Sequence, residues 1–498
     1  MEAIDYSRLV QELENQLAKR DETIDALYET NKELWETNKE LSKRVDKLES
    51  ENEEIRELLK EKAESKASKK PKFSDYSLEK NGKGESGKGK KKRKRKRSTG
   101  RRSQARKRVQ VEREENVHGS EGNQEESVLH RQQFAWRIVD GKAVYICYSI
   151  YDSPGSKSLP VPEGLRNSRS EFGIEIILIL AFLHYWVGIS LDHAREVLKF
   201  FTGLDLAKSQ ANSLLTQLAN DWNKQYDSIA ELIALQLIVY IDETGWKIGK
   251  SSCYTWVFST TMHVLFRCGV GRGKAEAEAV VGKLFPGIGV TDDYSAYKNL
   301  FTEHQLCWAH LIRKAIKLAL QNPDEKQYAK FLDELCEIYK QAIRYQNDGR
   351  LSVGRPEKDL ELQEMIRSLC TRAGEVIDKD KMPKHEGDFI RLQNELADNL
   401  SALFVFVRHP EVERTNNRSE RNVRREAEVR KGGRTSKSEK GAKRRGVIMT
   451  VIASLQTRFE KFTLDALLKE VAQWLSTGRS VFQAELEELQ TAKLAPSG

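Results

Sequence analysis

The chain has few of the residues that cross-link a protein or anchor it in a membrane. Its 498 residues include six cysteines, and no two of them form a CxxC pair, so neither a zinc knuckle nor a disulfide framework is indicated. The most apolar run, residues 173–189, contains Glu175 and His184 and falls short of a membrane span. The first residues have no signal-peptide core. These absences predict a reducing, cytoplasmic compartment, no bound zinc and no membrane contact.

Positive charge is concentrated in one segment. The chain carries a net charge of +9, and residues 66–108 alone hold 20 Lys or Arg against three Asp or Glu. The remainder of the chain is therefore net negative. A block of like charge predicts a polyanion-binding segment rather than a generally basic protein. With 32% charged and 39% apolar residues, part of the chain is expected to be extended or disordered.

Residues 1–63 contain neither proline nor glycine and carry a seven-residue repeat. The repeat predicts a coiled-coil helix that joins two or more copies of the chain. Three Asn at its first position favour an in-register parallel dimer, because a buried Asn is satisfied best by the same residue of a partner. The alternative is a single amphipathic helix packed on its own body. The first position holds Val10, Leu17, Ile24, Asn31, Asn38, Val45, Asn52 and Leu59, and the second holds Leu13, Arg20, Leu27, Leu34, Leu41, Leu48 and Ile55.

The basic block lies in a linker, residues 64–128, that includes KGKKKRKRKR and RRSQARKR. Lys and Arg at this density repel one another and bury no core, so the linker is expected to be disordered on its own. Its predicted role is contact with DNA phosphates without sequence choice. A solubilising tail and a nuclear-localisation signal are the alternatives. The predicted contact residues are Lys91, Lys92, Arg93, Lys94 and Arg95.

Two short regions precede the predicted catalytic part. In residues 129–165, the run AWRIVDGKAVYICYSIYD predicts a β-hairpin that turns at Asp140-Gly141. Residues 166–232 have a helical pattern. The succession of helix, short turn and helix in 172–225 is compatible with a helix-turn-helix DNA reader. It is equally compatible with a layer of helices that only packs.

The pattern then changes to strands. Residues 233–314 give three β-rich runs, a helix, a strand, and a short strand running into a helix. This β-β-β-α-β-α order predicts an α/β, ribonuclease-H-like fold, with three antiparallel strands followed by parallel ones. Residues 315–410 then form a helical insertion. Residues 411–478 hold the helix with the last candidate acid and further C-terminal helices, and 479–498 form a tail.

Two of the strands carry candidate metal ligands. Asp242 follows an apolar run, and a carboxylate in that position is costly unless it is paired or binds a cation. Asp242 and Glu243 are expected to point to opposite faces of the strand. Asp292 and Asp293 are likewise adjacent acids, at the end of GIGVTDDY, and either of them could be the one that faces the site.

Glu420 is the third candidate, because a hard divalent cation needs several oxygen ligands. In a helix over 416–428, Asn417, Glu420, Arg421 and Arg424 share one face. One acid among amide and cationic donors suits a phosphate beside a metal. The competing acids Glu413, Glu426 and Glu428 lack such neighbours.

Three carboxylates suit phosphodiester chemistry with two Mg²⁺ ions, for which Mn²⁺ can substitute. One ion activates a water or a 3′-hydroxyl, and the other stabilises the leaving 3′-oxygen. No covalent enzyme intermediate is required.

At these positions the chain resembles the IS66-type transposases. The matching motifs are YIDETGW, TDDYSAY, CWAHLIRK, TNNRSERNVRREAEVRK and SLQT, and they occur in the family's order between about 170 and 475. The resemblance implies a DDE active site that maps to Asp242, Asp292 and Glu420. It also implies a bacterial, nucleoid-associated enzyme of an insertion sequence that cleaves and joins DNA at terminal inverted repeats and a target, by a cut-and-paste or copy route. Accessory proteins encoded by the element are possible partners.

The sequence departs from the family at three places. One is the linker, which is unusually basic and is expected to take over some of the DNA contact that a zinc finger would make. Members commonly carry a Cys-rich zinc-binding segment after the coiled coil, whereas Cys147 is the single cysteine in that region. The hairpin of residues 129–165 is therefore expected to stand in place of a zinc finger. The glycine of the family's TDGY-like motif is Asp293 here, so both Asp292 and Asp293 are candidates, and Asp292 is preferred.

Residues near these motifs are candidates for supporting roles. Cys307 and His310 resemble the family's C-x2-H run, which is either a packing pair at a helix start or a contact of His310 with phosphate or the catalytic centre. Two such residues do not complete a four-ligand zinc site. Arg313 and Lys314 are predicted to position DNA. Trp246 and Trp308 either stack on an extruded base or pack in the core.

Two other functions compete with that of a transposase. A decayed copy would be a non-catalytic, DNA-binding coiled-coil protein, although all three acids are retained in the sequence. A ribonuclease-H-like nuclease without strand transfer is the other alternative, and a joining assay separates it from a transposase.

Overall fold

The computed structural model describes residues 109–119, 127–152, 154, 158–378 and 382–494. They form a mixed α/β structure with two sheets and many helices. The predicted coiled coil and the predicted phosphate contacts Lys91 to Arg95 lie outside these residues. Within them, no helix combines the length and the apolarity that crossing a membrane requires.

The first sheet has three strands in the order β1-β3-β2. The two runs predicted as a hairpin pair antiparallel, and the turn between them has positive φ at both Asp140 (49°) and Gly141 (77°). Asp-Gly suits such a turn because both residues tolerate the left-handed region. The first strand pairs parallel with the third and was missed, because its sequence REENV has no apolar alternation. The strands are β1 (Arg113–Val117), β2 (Val128–Val139) and β3 (Lys142–Asp152).

Four helices follow, and the first is buried on nearly all sides, as its apolar sequence predicts. A π-helical turn, Phe182–Trp186, extends that helix. The next begins at an N-cap in which Ser190 accepts from the backbone N–H of His193, and it ends at Gly203 with φ of 78°. These are a preferred cap and a preferred stop. The helices are α1 (Ile174–Ala181), α2 (Leu191–Thr202), α3 (Lys208–Asp221) and α4 (Asn223–Ala234).

The second sheet has five strands in the order β6-β5-β4-β7-β8. Its first three strands in the chain are antiparallel, β7 then pairs in parallel with β4, and β8 pairs in parallel with β7. A helix, α5 (Lys274–Val281), makes the crossover to β7. The central strand β4 therefore has a neighbour on each side. The strands are β4 (Ile238–Ile248), β5 (Ser251–Ser259), β6 (Val264–Val270), β7 (Phe285–Thr291) and β8 (Phe301–Leu306).

Helices cover the five-stranded sheet through two separate cores. Along β4, Val239 and Ile241 belong to the core shared with the first helices and the C-terminal helices. Tyr240 belongs to the core shared with the helices that follow β8. This alternation is that of a strand buried on both faces.

Ten further helices complete the described part of the chain after β8. Six lie within the predicted insertion or at its borders, and four follow it. The first six are α6 (Trp308–Gln321), α7 (Lys326–Asn347), α8 (Arg355–Leu369), α9 (Lys384–Asp398), α10 (Leu400–Leu403) and α11 (Val405–Arg408). The last four are α12 (Asn417–Lys431), α13 (Glu439–Arg458), α14 (Leu464–Thr477) and α15 (Val481–Leu494).

Candidate active site

Asp242 lies in the middle of β4, not after its end. The sequence suggested that the strand stops before this residue, but pairing with β5 continues as far as Ile248 opposite Ser251. Apolarity stops at Ile241, whereas backbone pairing does not. From the described residues, the carboxyl accepts one hydrogen bond, from the backbone N–H of Glu243 at 2.8 Å.

The electrostatics of Asp242 are those of a buried acid among other acids. Burial, together with the negative charges of Glu243, Asp292 and Glu420, raises its pKa to about 8. The fold therefore brings the three sequence-predicted acids into one neighbourhood, although they come from β4, the end of β7 and a helix far along the chain. A carboxyl with this pKa binds a proton readily, because the proton removes its charge repulsion with the neighbouring acids. A bound cation would reduce the same repulsion.

Asp292 and Asp293 have different surroundings. Asp292 follows β7 directly, and its Oδ1 accepts from the backbone N–H of Tyr294 at 3.1 Å. Asp293 is exposed; partial burial raises its pKa, while Lys298 and Lys314 counteract that rise. The negative charge of Asp292, by contrast, is one of those that raise the pKa of Asp242. The geometry favours Asp292 over its neighbour.

Glu420 lies in the first turn of α12, which is fixed to β4 by buried side chains before and beside it. The Asn416 amide Nδ2 donates to the carbonyl of Ile241 at 2.6 Å, and the Ser419 hydroxyl donates to the carbonyl of Tyr240 at 2.7 Å. Both side chains are fully buried. Further along the helix, Arg430 donates to the carbonyl of Gly245 at 3.0 Å. These contacts explain how the NNRSER motif holds its acid beside Asp242.

The Glu420 carboxylate contacts three side chains of the segment that begins α6. Arg313 donates to both oxygens at 3.3 and 3.4 Å. The Cys307 thiol lies 3.7 Å from Oε1, and Nδ1 of His310 lies 3.5 Å from the same oxygen. Cys307 and His310 therefore reach the candidate centre and are not only a packing pair at the start of a helix.

Glu243 was missed as a contributor to the site. Its side chain is 3% exposed and pairs with Arg272 at 3.0 Å, and it accepts from the hydroxyl of Tyr297 at 2.6 Å. The Arg272 guanidinium lies 4.2 Å from the ring centre of Tyr294. Tyr294 belongs to the same TDDYSAY motif as Asp292. Burial and the acids Glu243, Asp292 and Asp242 raise the pKa of Tyr297 well above its usual value. Alternation along β4 predicted only that Glu243 points away from Asp242.

A basic groove of about 580 Å³ runs along α12. Arg421 and Arg424 are exposed there, as their shared helix face suggested, and Asn417 is exposed one turn earlier. Arg418 and Arg425, which the sequence did not single out, line the same groove; Arg418 also pairs with Glu413. The SLQT motif contributes to it as well. The lining residues are Thr260, Val264, Arg418, Arg421, Asn422, Arg424, Arg425, Glu428, Gln456 and Thr457.

Other predicted site residues are engaged elsewhere. Lys314 pairs with Glu395 at 2.5 Å. Trp246 is 2% exposed and donates from Nε1 to the Ser436 hydroxyl at 3.2 Å. Trp308 is fully buried and donates to a backbone carbonyl. Both tryptophans therefore pack in the core, which excludes base stacking in this conformation.

One competing acid has a structural role. Glu426 is fully buried and forms two 2.8 Å hydrogen bonds with Arg445 of α13. This pair joins α12 to α13 and leaves Glu426 no free oxygen facing Asp242.

The possible helix-turn-helix, α2 and α3, packs against the C-terminal helices. Arg444 of α13 donates to the side chains of Asn212 and Thr216 of α3 at 2.9 and 2.7 Å. The face of α3 that carries these residues is thereby occupied, which supports the packing alternative for that face. DNA recognition by the remaining faces stays a prediction.

Comparison with known proteins agrees with this geometry. A family model described as the IS66 family of transposases matches residues 169–444, more than half of the chain. The match includes β4 to β8, all three candidate acids and the start of α13. The protein is a transposase by class, and a transposase acts on DNA. It belongs to the IS66 family. No curated protein matches the chain.

Proposed function

We propose that the protein is a DDE transposase in which Asp242, Asp292 and Glu420 hold divalent cations for phosphodiester cleavage and strand transfer. The observation that carries the proposal is the Asp242 carboxyl. It is half-buried in a central strand, its pKa is raised to about 8, and the charges of Asp292 and Glu420 act on it.

The topology supports a ribonuclease-H-like catalytic domain. Three antiparallel strands are followed by two parallel ones, in the order β6-β5-β4-β7-β8. Asp242 lies on the central strand and Asp292 at the end of its parallel neighbour. Pairing between these strands ends at Tyr240 opposite Val290, and Asp242 and Asp292 each lie two residues further on, so they occupy matching positions of the two strands.

The residues present fit a hard divalent cation. The three acids supply only oxygen ligands, as Mg²⁺ prefers. Their mutual repulsion, felt in the raised pKa of Asp242, is removed by a cation between them. When bound, Mg²⁺ supplies activation of the nucleophilic oxygen and stabilisation of the leaving 3′-oxygen.

The protein's own groups position this chemistry. The backbone N–H of Glu243 orients the Asp242 carboxyl, and that of Tyr294 orients Asp292. Asn416 and Ser419 hold the start of α12 against β4, which fixes Glu420. Because these supports are rigid and buried, the acids need little rearrangement to meet a cation.

DNA contact is assigned to the basic groove along α12 and to Arg272. Arg421 and Arg424 are exposed beside Glu420 and suit phosphate oxygens. Arg272 is held in place by Glu243 and Tyr294. The basic linker adds affinity without sequence choice, and the coiled coil of residues 1–63 pairs two copies. These last two roles rest on the sequence.

The test is Mg²⁺-dependent cleavage and joining of DNA that carries the element's terminal repeats. We expect Asp242→Asn and Glu420→Gln each to lose at least about 100-fold in both steps, the scale on which removal of one catalytic electrostatic group acts. Asp293→Asn is the matched control and should retain activity, because that side chain faces Lys298 and Lys314.

Each other outcome of the assay points to a different conclusion. Undiminished strand transfer by Asp242→Asn and Glu420→Gln contradicts the assignment of the acids. Cleavage without joining identifies a nuclease. DNA binding without either reaction identifies a non-catalytic copy.

A further inference from the structure

We propose that Cys307, His310 and Glu420 form a second metal site, for a thiophilic divalent cation such as Zn²⁺, that shares Glu420 with the catalytic centre. The site itself stands on the geometry described below. Its effect on catalysis rests on the function proposed above.

The three side chains already converge. One ligand atom from each lies within 4.8 Å of the other two. The Cys307 Sγ and the His310 Nδ1 are 3.7 and 3.5 Å from the same oxygen of Glu420. Zinc ligands at about 2.0–2.3 Å from the metal are roughly 3.3–3.8 Å apart in a tetrahedral site. The two distances to Glu420 fall within that range, and the Cys307 and His310 ligand atoms are no more than 4.8 Å apart.

The Cys307 sulfur is surrounded by amide donors. Cys307 is the N-cap of α6, and its Sγ accepts from the backbone N–H of Asn416 at 3.2 Å. Burial raises the pKa of the Cys307 thiol, and the backbone N–H groups of Asn416, His310 and Ala309 oppose that rise. Metal binds the thiolate form, and these amide donors would remain around the sulfur when a cation displaces its proton. On binding, the thiol proton leaves to solvent.

The His310 ring supplies an independent indication. Its Nδ1 is shielded from solvent and has no hydrogen-bond partner among the described residues. Buried polar atoms usually have a partner. Here the nitrogen faces the Glu420 carboxylate, as an imidazole lone pair does when both ligate one ion.

Sequence reasoning excluded zinc because Cys-x2-His provides two ligands. The third comes from α12, which only the fold brings to α6. Three protein ligands with one open position are the arrangement of a reactive rather than a purely structural zinc site. Arg313, which pairs with Glu420 without metal, is 58% exposed and is free to move into solvent when a cation replaces it.

The two sites differ in the cations that they prefer. Sulfur and imidazole select zinc-like ions, whereas the oxygen set of Asp242 and Asp292 selects Mg²⁺. Because Glu420 serves both, a thiophilic ion at Cys307 withdraws a ligand from the catalytic centre. Zn²⁺ is therefore expected to inhibit Mg²⁺-dependent cleavage.

The probe is Co²⁺ titrated into the full-length protein, with absorption by a thiolate–cobalt bond as readout. We expect the wild type to bind one Co²⁺ with this absorption and Zn²⁺ to displace it. Cys307→Ser should lose the absorption, and His310→Gln should weaken Co²⁺ binding at least about tenfold. Cys336→Ser, a half-buried cysteine of α7, is the control and should match the wild type.

Further measurements separate this site from the catalytic proposal. Asp242→Asn should lose cleavage and keep the cobalt–thiolate absorption. Zn²⁺ inhibition of cleavage should be weaker in His310→Gln than in the wild type, with each protein compared with its own rate in Mg²⁺ alone. A wild type that binds Co²⁺ in this way but does not cleave DNA supports the metal site and contradicts the proposed function. Absence of the absorption in the wild type, or its persistence in Cys307→Ser, overturns the metal site.

Discussion

At the scale of single residues, the acids of the candidate site differ in the hydrogen-bond and ion-pair partners that stabilise their charges. Glu243 has a cation and a hydroxyl as partners, from Arg272 and Tyr297. Asp242 has one amide from the described residues. That difference explains why Asp242, rather than its neighbour, is the acid suited to an incoming cation.

The pKa of Asp242 predicts how Mg²⁺ binding depends on pH. Because that pKa is raised to about 8, the folded metal-free protein keeps a proton on this carboxyl between about pH 4 and pH 8 that the unfolded chain has lost. The metal-free protein therefore loses stability as pH rises through this range. Mg²⁺ binds the ionised form, so its stabilising effect should grow over the same range.

The measurement is the rise in melting temperature that Mg²⁺ causes, at about pH 6 and about pH 8. We expect a larger rise at the higher pH in the wild type. In Asp242→Asn the pH dependence should be greatly reduced, because the titrating group is absent. An equal rise at both pH values in the wild type contradicts this account of the carboxyl.

Sequence reasoning named the candidate acids and gave a contact of His310 with the catalytic centre as one alternative, but it did not identify Arg272 as a neighbour. Asp242, Asp292 and Glu420 could be named because apolar runs and a helix face locate acids without knowledge of the fold. Arg272 and the convergence of His310 on Glu420 depend on contacts between distant segments, which no local pattern encodes. The buried state of the tryptophans was likewise open in the sequence and is settled by their packing.

At the scale of elements, α12 is the part on which the site depends most. Its start is attached to β4 by the buried Asn416 and Ser419, and its middle to α13 by the buried pair of Glu426 and Arg445. The helix was predicted from sequence, but its docking was not, because a long helical insertion precedes it.

We predict that Asn416→Ala destabilises the protein by about 1–3 kcal/mol, since it leaves a buried carbonyl without its donor. Activity should fall as well, because Glu420 is then less firmly held. The exposed Asn417 is the matched control for stability, and Asn417→Ala should change it by less than about 0.5 kcal/mol. Urea denaturation measures both. Equal stabilities of the two variants contradict the anchoring role of Asn416.

Strand order was predictable where apolar runs and turn residues mark each element. The Asp140-Gly141 turn and the runs that became β4 to β8 are examples. β1 was not predictable, because a polar five-residue strand is recognised only by its pairing with β3. The strand-end position expected for Asp242 was wrong, since the second half of β4 is stabilised by pairing with β5 rather than by apolar side chains.

At the scale of the whole molecule, the described part of the chain carries a group of candidate metal-binding acids and a basic groove along α12. Asp242 lies in the central strand β4, Asp292 follows its neighbour β7, and Glu420 lies in the first turn of α12, whose later arginines line the groove. This arrangement fits a DNA strand laid along α12 with its reacting phosphate at the acids. Membership of the IS66 transposase family agrees with that reading.

The most direct test of the central claim is anomalous X-ray diffraction from crystals of the full-length protein grown with Mn²⁺. The account predicts manganese bound between Asp242 and Asp292 and between Asp242 and Glu420, at about 2.1 Å from their oxygens. Manganese held by Asp293 in place of Asp292, or bound only away from these three acids, would contradict it.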